Sequence, residues 1–244
     1  MGLDLFSDSQ SMYDNQLFMT MFRKVRLLMQ KYQLEFIEFA IAHKVLCFGD
    51  FTLKSGRQSP YFFNSGLFND GKSLFRLGRF YASAIQAANI EYDMLFGPAY
   101  KGIPLASAVA MTLAEDHDIN VPYCFNRKEA KNHGEGGTTF GAPLHGKTLI
   151  IDDVISAGTS VNLSVEIIKR TGATTAGVVI ALDRQERGEG KLSAVQEVEQ
   201  RHQISVISII TLENMIEYLE KTPSMSENLG KIRQYQESYG AVDL

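Results

Sequence analysis

The sequence predicts an α/β fold in which helices flank a central, mostly parallel sheet, with a small subdomain on its amino-terminal side. The 244 residues are 45% hydrophobic and 21% charged, an ordinary composition for a domain that buries a full core. From residue 73 onward, helix-like and strand-like segments alternate, which is typical of parallel sheets. Polar, glycine-containing motifs follow the predicted strands, and ligands bind at that edge of such sheets.

The amino-terminal part combines a helix with a pair of strands. Apolar residues recur at helical spacing over 29–43 and predict an amphipathic helix. Gly49-Asp50 and Ser55-Gly56 punctuate the next stretch, so short strands are predicted at 51–53 and 61–64. We expect this hood subdomain to cover about 29–70 of a single domain over 29–244. Residues 1–28 are expected to be an extension that is poorly ordered or helical.

Alternating units follow the hood in a regular order. Helices are predicted at 73–89, 103–117, 159–171 and 193–202, and strands at 93–97, 121–126, 148–151, 177–183 and 205–210. A long polar loop follows the strand at 121–126, and the segment after residue 211 indicates two helices interrupted by Pro223. Because strands connected through helices run parallel, the loops at their carboxyl ends should meet at one edge of the sheet.

Charge, cysteine content and hydropathy exclude several classes of protein. The formal net charge of −4 argues against non-specific nucleic-acid binding, so any anion site must be local. Cys47 and Cys124 lie in apolar stretches without metal-ligand spacing, so we expect free buried thiols, a reducing compartment and a cytoplasmic location. No apolar stretch is long enough to cross a bilayer, and the early Asp4 and Asp8 do not fit a secretory signal.

The most informative segment is 149–160, Leu-Ile-Ile-Asp-Asp-Val-Ile-Ser-Ala-Gly-Thr-Ser. An apolar strand ends in Asp152 and Asp153, whose carboxylates can accept hydrogen bonds from ribose hydroxyls. The hydroxyls and backbone N–H groups of 156–160 lie where a helix begins and can bind a phosphate. A pair of aspartates can also cap a turn, but the small-residue run that follows at once favours ligand binding.

Cations follow two other predicted strands. Gly97-Pro-Ala-Tyr-Lys-Gly102 imposes a tight turn that presents Tyr100 and Lys101. The strand at 121–126 is followed by four cationic or titratable residues ahead of a glycine-rich stretch, a pattern typical of a mobile, positively charged lid: Arg127, Lys128, Lys131 and His133. Together with the aspartate segment, these loops predict an anion site in an otherwise acidic protein.

Other candidates stay open on the residues alone. Lys54, with its neighbours up to Arg57, fits a solvated turn at least as well as a binding loop. Phe62 and Phe63 are more often core residues than a ligand platform, and in a half-buried strand only one of them faces inward. The glycine spacings of dinucleotide-binding folds and P-loops are absent from the sequence.

Segment 152–160 resembles the phosphoribosyl-diphosphate signature of type I phosphoribosyltransferases. Five further motifs are similar to the orotate phosphoribosyltransferase family in its bacterial form: FTLKSG at 51–56, PYFFN at 60–64, GPAYKG at 97–102, FNRKEAK at 125–131 and DRQER at 183–187. The match preserves the motif order from about residue 29 to the carboxyl terminus. Ser156 departs from the threonine that the family commonly has there, which keeps the hydroxyl but loses a methyl group.

The resemblance implies the type I phosphoribosyltransferase fold and the transfer of ribose 5-phosphate from 5-phosphoribosyl 1-diphosphate to N1 of orotate. The products would be orotidine 5′-monophosphate and diphosphate, in pyrimidine biosynthesis. It also implies Mg²⁺ held mainly by diphosphate and water, with no protein metal ligands. A homodimer is implied as well, in which the lid reaches the site of the neighbouring subunit.

The resemblance assigns site residues in three groups. Those that would bind 5-phosphoribosyl 1-diphosphate are Lys54, Tyr100, Lys101, Arg127, Lys128, Lys131, His133, Asp152, Asp153, Val154, Ile155, Ser156, Ala157, Gly158, Thr159 and Ser160. Those that would bind orotate are Phe62, Phe63, Ser156 and Arg184. The catalytic residues would be Lys131, with the largest single effect, and Lys101, Asp153 and His133.

Two other functions compete with this interpretation. A purine phosphoribosyltransferase would share the fold, but a purine has no carboxylate to meet the Arg184 guanidinium. A regulatory protein that senses phosphoribosyl diphosphate while binding nucleic acid would need a basic face or a helix-turn-helix, and it should lack an intact lid.

Overall fold

The computed structural model describes residues 29–53, 55–131, 137–188 and 190–242, with backbone alone at 128–131 and 137. Residues 1–28, Lys54 and His133 lie outside the described residues, so the predictions for them stay predictions. Within the described part of the chain, no helix is long and apolar enough to cross a membrane.

The hood contains one helix and an antiparallel hairpin, as predicted. Helix α1 (Lys31–Ala42) buries Phe36 and Phe39 and is followed by strands β1 (Leu46–Thr52) and β2 (Gln58–Phe63). Strand β1 is longer than the predicted 51–53, because Gly49 and Asp50, expected to be a break before the strand, lie within it as an irregularity of the ladder. Strand β2 begins three residues before the predicted 61–64 and ends one residue before its end. A short 3₁₀ turn (Ser65–Leu67) leads out of the hairpin.

The main sheet has the strand order β5-β4-β3-β6-β7-β8, and its strands are parallel except for β5. The helices between them match the predicted order. The elements are α2 (Gly71–Ala88), β3 (Met94–Gly97), α3 (Gly102–His117), β4 (Tyr123–Lys131), β5 (Gly137–Gly141), β6 (Lys147–Ile151), α4 (Thr159–Arg170), β7 (Thr174–Asp183), α5 (Ala194–His202), β8 (Ser205–Thr211), α6 (Leu212–Glu220) and α7 (Ser226–Tyr239).

The strand order creates a switch point beside β3. The chain runs from β3 to β4 on one side and from the adjacent β6 to β7 on the other, so the connections after these two strands leave in opposite directions. A crevice forms beyond the carboxyl ends of strands at such a point. The loops after β3 and β6, which carry part of the predicted anion site, therefore start side by side, and β4 lies next to β3.

The prediction of a polar loop directly after residue 126 is wrong. Residues 127–131 continue β4, and β5 pairs antiparallel with it through Phe125 and Phe140, whose rings lie 5.4 Å apart. Thr138, Thr139 and Phe140 favour extended backbone, which explains the strand. The last β3 partner of β4 is Phe125, so the β4–β5 arm, residues 126–131 and 137–140, extends past the end of β3.

The cysteines are both free, as expected. Cys124 is buried in the core, and burial raises the pKa of its thiol to about 12. Cys47 is only partly buried in β1, and its Sγ donates to the Lys44 carbonyl at 3.3 Å. The expectation of a buried thiol is therefore wrong for Cys47, because β1 buries only its first residue, Leu46, fully.

Candidate active site

Asp152 and Asp153 lie directly after β6 and are almost fully buried, 6% and 7% exposed. Their backbones continue the pairing with β7, through Asp152 N to the Val179 carbonyl (3.0 Å) and Ala181 N to the Asp153 carbonyl (2.8 Å). From α2, the Tyr81 hydroxyl donates to the Asp152 carbonyl at 2.7 Å. The sheet thus holds the backbone of both aspartates, and α2 adds a contact to Asp152.

The Asp152 carboxylate accepts two hydrogen bonds from its own loop. Its Oδ1 accepts from the Asp153 backbone N–H and its Oδ2 from the Ser160 hydroxyl, both at 2.9 Å. Burial raises the pKa of Asp152 to about 6, with the nearby Asp153 adding to the effect, while the two hydrogen bonds and Lys101 oppose it. The fold therefore holds the Asp152 carboxylate in a buried position, where its negative charge is unfavourable.

The Asp153 carboxylate connects three parts of the chain. Its Oδ2 accepts from Lys101 Nζ and from the Ser65 hydroxyl, both at 2.6 Å. Lys101 belongs to the loop after β3, and Ser65 to the 3₁₀ turn after the hood hairpin. The Lys101 side chain is 57% exposed, so its ammonium group lies at the mouth of the site. No sequence signal marks Ser65, because a serine in a turn has many ordinary uses.

The segment after the aspartates runs into the amino terminus of α4. Gly158 precedes the helix with φ of 68°, a left-handed conformation that favours glycine. Ser156, Ala157, Thr159 and Ser160 are exposed, whereas Val154 and Ile155 are half-buried. The exposed hydroxyls and the first N–H groups of a 12-residue helix lie where the phosphate-binding surface is predicted.

The loop after β3 is tied to β4 by a buried amide. Asn126, 5% exposed, accepts from the Ala99 backbone N–H through its Oδ1 at 2.6 Å. Tyr100 is 66% exposed beside it, and the Arg127 guanidinium lies 5.2 Å from the centre of the Phe140 ring. The backbones of Lys128 and Lys131 belong to β4, so they lie on the same arm as Arg127. Sequence reasoning missed Asn126, whose role depends on a contact between two strands.

The other end of the site lies between the hood and the end of β7. Arg184 follows β7, forms an ion pair with Glu186 and lies 4.2 Å from the centre of the Tyr61 ring. Phe63 is half-buried and packs toward Phe36 of α1 at 6.4 Å. Phe62 is 40% exposed and stacks beside Phe51, with ring centres 5.5 Å apart. Only one of the two phenylalanines faces inward, as the period of a strand requires.

The same hood segment touches both ends of the site. Ser65 bonds Asp153, while Ser59 bonds Arg184 at 3.2 Å and Tyr61 bonds Glu186 at 3.0 Å. The structure therefore brings Lys101 and Asp153 together directly. It connects Arg184 to them through the hood.

Comparison with known proteins identifies the family. Residues 65–214 match the model of the phosphoribosyl transferase domain, more than half of the chain. The orotate phosphoribosyltransferase of Klebsiella pneumoniae is 61% identical over 212 residues, 87% of this chain and 100% of that protein. The one from Shigella flexneri is 59% identical over 212 residues, with the same two shares. This chain belongs to the orotate phosphoribosyltransferase family.

The fold agrees with a solved orotate phosphoribosyltransferase. The structure from Francisella tularensis superposes with a TM-score of 0.78 at 43% identity, covering 85% of this chain and 100% of that one. The predicted type I phosphoribosyltransferase fold is thus confirmed. In the present chain, the paired aspartates lie at the switch point of the sheet.

The raised pKa of Asp152 predicts how stability depends on pH. The pKa of the Asp152 carboxyl group is about 6 in the folded state, and its ordinary value is 3.8. Between these two pH values, the folded state therefore binds a proton at Asp152 that the unfolded state has lost. The contribution of Asp152 to the free energy of unfolding is therefore fully present below about pH 4 and falls as the pH rises through 6. Relative to Asp152→Asn, which stays neutral, the wild type should lose up to about 3 kcal/mol across this window.

Urea unfolding of the wild type and Asp152→Asn at several pH values between about 4 and 7 measures this difference. A difference in the free energy of unfolding that does not change with pH would contradict the raised pKa of the buried Asp152 carboxyl group.

Proposed function

We propose that the protein transfers the 5-phosphoribosyl group of 5-phosphoribosyl 1-diphosphate to N1 of orotate, in pyrimidine biosynthesis. The observation that carries the proposal is the pair of buried aspartates between a lysine and a helix amino terminus. The names of relatives about 60% identical to this chain support the choice of substrates.

The aspartate segment would hold the ribose phosphate. The carboxylates of Asp152 and Asp153 would accept hydrogen bonds from the ribose hydroxyls, and residues 156–160 would surround the 5′-phosphate. Lys101 would move between Asp153 and the diphosphate, because its exposed ammonium group can contact both. The small residues of the loop would allow close approach of the phosphate oxygens.

The cationic residues would stabilise the leaving group. The bond to diphosphate breaks largely before the new bond to nitrogen forms, so negative charge grows on the diphosphate and positive charge on the ribose ring. Fixed cations are most effective where charge develops in the transition state. These cations would come from Lys101, from the β4–β5 arm with Arg127, Lys128 and Lys131, and from Lys54 and His133, with Tyr100 as a hydrogen-bond donor.

The hood and the end of β7 would select the base. Arg184 would meet the orotate carboxylate as a forked donor, and Ser156 would contact the same substrate. Phe62 would pack on the pyrimidine, and Phe63 would contact it through backbone groups. A purine offers no carboxylate to Arg184, which favours orotate over a purine base.

Magnesium fits this arrangement of residues. Mg²⁺ is bound in such sites through one or two carboxylates plus substrate phosphates and water. Within the described residues, no cluster of three or more histidine, cysteine or acidic side chains could hold a metal alone. We propose that the diphosphate and water supply most ligands and that Asp152 and Asp153 are the available carboxylates. When bound, the ion would offset the charge of the departing diphosphate.

We also propose a homodimer that shares its sites and works in the cytoplasm. The β4–β5 arm extends past the end of β3, as a segment that reaches a second subunit would. The two free cysteines fit a reducing compartment. Sedimentation at the concentration used for assay tests the dimer, and a monomer mass would contradict it.

The decisive assay follows the loss of orotate absorbance with 5-phosphoribosyl 1-diphosphate and magnesium. It is repeated with adenine, hypoxanthine and uracil in place of orotate. We expect turnover of orotate and little or none of the purines. Activity on a purine without activity on orotate would overturn the proposed function.

A further inference from the structure

Glu186 lies two residues after Arg184, and its carboxylate collects donors from two parts of the fold. Its Oε1 accepts from Arg184 Nε at 2.8 Å, with Arg184 Nη2 at 2.6 Å, and from the Tyr61 hydroxyl at 3.0 Å. We propose that Glu186 is a positioning residue that sets the Arg184 guanidinium for the orotate carboxylate. The inference rests on the proposed function, because it requires orotate as the substrate of this site.

The backbone of Glu186 is held independently of its side chain. It forms a β-bridge with Gly240, and the segment after α7 adds a bond from Arg187 N to the Tyr239 carbonyl at 2.9 Å. A third bond joins Ala241 N to the Gln185 carbonyl at 2.9 Å. The carboxylate therefore starts from a fixed point, which a positioning group needs in order to restrict a long, flexible side chain.

The hydrogen bonds of Arg184 involve its Nε and Nη2 atoms, and the Tyr235 side chain also lies beside Arg184 and Glu186. Glu186 uses Nε and Nη2, and Ser59 Oγ lies 3.2 Å from Nη2. The guanidinium also lies 4.2 Å from the centre of the Tyr61 ring, which restricts its tilt. Neither Glu186 nor Ser59 uses the Nη1 atom. A carboxylate that replaced Ser59 at Nη2 and also accepted from Nη1 would meet the forked geometry that guanidinium and carboxylate groups share.

The charges in this cluster favour an anionic ligand. Arg57 Nη1 lies 3.8 Å from Glu186 Oε2, so Glu186 stands between two guanidinium groups. Arg57 also donates to the carbonyls of Arg187 (2.9 Å) and Gly188 (3.2 Å), which ties the hood to the same loop. Two cations and one anion leave a single positive charge among these three side chains. A substrate carboxylate would offset it, and a neutral base would not.

Replacing Glu186 with glutamine removes the charge at nearly constant shape. Without the carboxylate, the Arg184 side chain is free to adopt other rotamers, and some binding energy must then be spent on ordering it. We expect KM for orotate to rise about tenfold, while KM for 5-phosphoribosyl 1-diphosphate and kcat at saturating orotate change less than about threefold. A merely structural defect would not raise KM for orotate while leaving KM for 5-phosphoribosyl 1-diphosphate nearly unchanged.

Two further variants sharpen the experiment. Tyr61→Phe removes one donor to Glu186 while keeping the aromatic ring beside Arg184, so KM for orotate should rise about threefold. Glu91→Gln is the matched control, because Glu91 forms a 2.6 Å ion pair with Lys147 at the amino-terminal end of β6, and it should behave as wild type. Thermal unfolding of each variant is measured alongside. If Glu186→Gln does not fold, Tyr61→Phe decides the question.

An unchanged KM for orotate in Glu186→Gln, or an equal rise for both substrates, would overturn the proposal. If Glu186→Gln does not fold, an unchanged KM for orotate in Tyr61→Phe would overturn the proposal. Turnover of orotate by the wild type is measured first and separately. Its absence would refute the proposed function, whereas an active wild type with an unaffected Glu186→Gln variant would refute only the positioning role.

Discussion

Replacing Lys131 with alanine is expected to lower kcat by about two orders of magnitude, with smaller changes in KM for either substrate. Lys131 ends β4, where it pairs with Gly137 on the arm that extends past β3. In the proposed function, its cation would contact the diphosphate as the leaving group gains charge. An interaction made mainly in the transition state affects kcat more than binding of the ground state.

Steady-state kinetics with both substrates varied measures the effect of Lys131→Ala. Lys169→Ala, which removes an exposed lysine from the last turn of α4, provides the control for loss of a positive charge. Wild-type turnover in Lys131→Ala would remove Lys131 from the catalytic residues. A rise in KM for 5-phosphoribosyl 1-diphosphate with unchanged kcat would make it a binding residue instead.

Replacing Arg184 with glutamine is expected to lower kcat/KM for orotate by about two orders of magnitude, because a hydrogen bond between charged groups is lost. The glutamine also leaves Glu186 without its closest cation in a mostly buried position. Discrimination between orotate and uracil, which lacks the carboxylate, should fall together with activity. The measurement is kcat/KM for both bases at saturating 5-phosphoribosyl 1-diphosphate.

Arg201→Gln, on the last turn of α5, tests whether loss of any arginine has this effect, and we expect wild-type kinetics from it. Wild-type kcat/KM for orotate in Arg184→Gln would show that another group recognises the carboxylate. An equal loss for orotate and uracil would show that Arg184 supports the fold of the site rather than the choice of base.

The alternation of helices and strands could be predicted from the sequence because each buried strand is a short apolar run between polar turns. The strand at 148–151 and the helix at 159–171 were placed within a residue or so of β6 and α4. The arm could not be predicted in the same way. Residues 127–131 are polar and charged, and their strand depends on pairing with a distant partner rather than on local pattern.

The residues of the site also fall into those that local sequence patterns predict and those that depend on distant contacts. Asp152, Asp153 and Lys101 were predicted because their residue types occur in distinctive runs at strand ends, and the structure brings them into contact. Ser65 and Asn126 were missed, since each acts through one contact with a residue far away in the sequence. Glu186 lies only two residues from Arg184, but its further contacts with Tyr61 and Arg57 of the hood depend on the fold.

The connections of the hood hairpin bear on how selectivity for the base could change. Ser59 and Tyr61 contact the Arg184–Glu186 end of the site, Ser65 contacts the Asp153 carboxylate, and the sheet and α2 hold the backbone of 152–153. Residues 57–64 and 184–188 thus form one contact network at the end proposed to bind the base, whereas Ser65 belongs to the end proposed to bind the ribose phosphate. Exchanging both segments together is the rational route to a transferase for another base, whereas changing Arg184 alone would leave Ser59 and Glu186 without their partner.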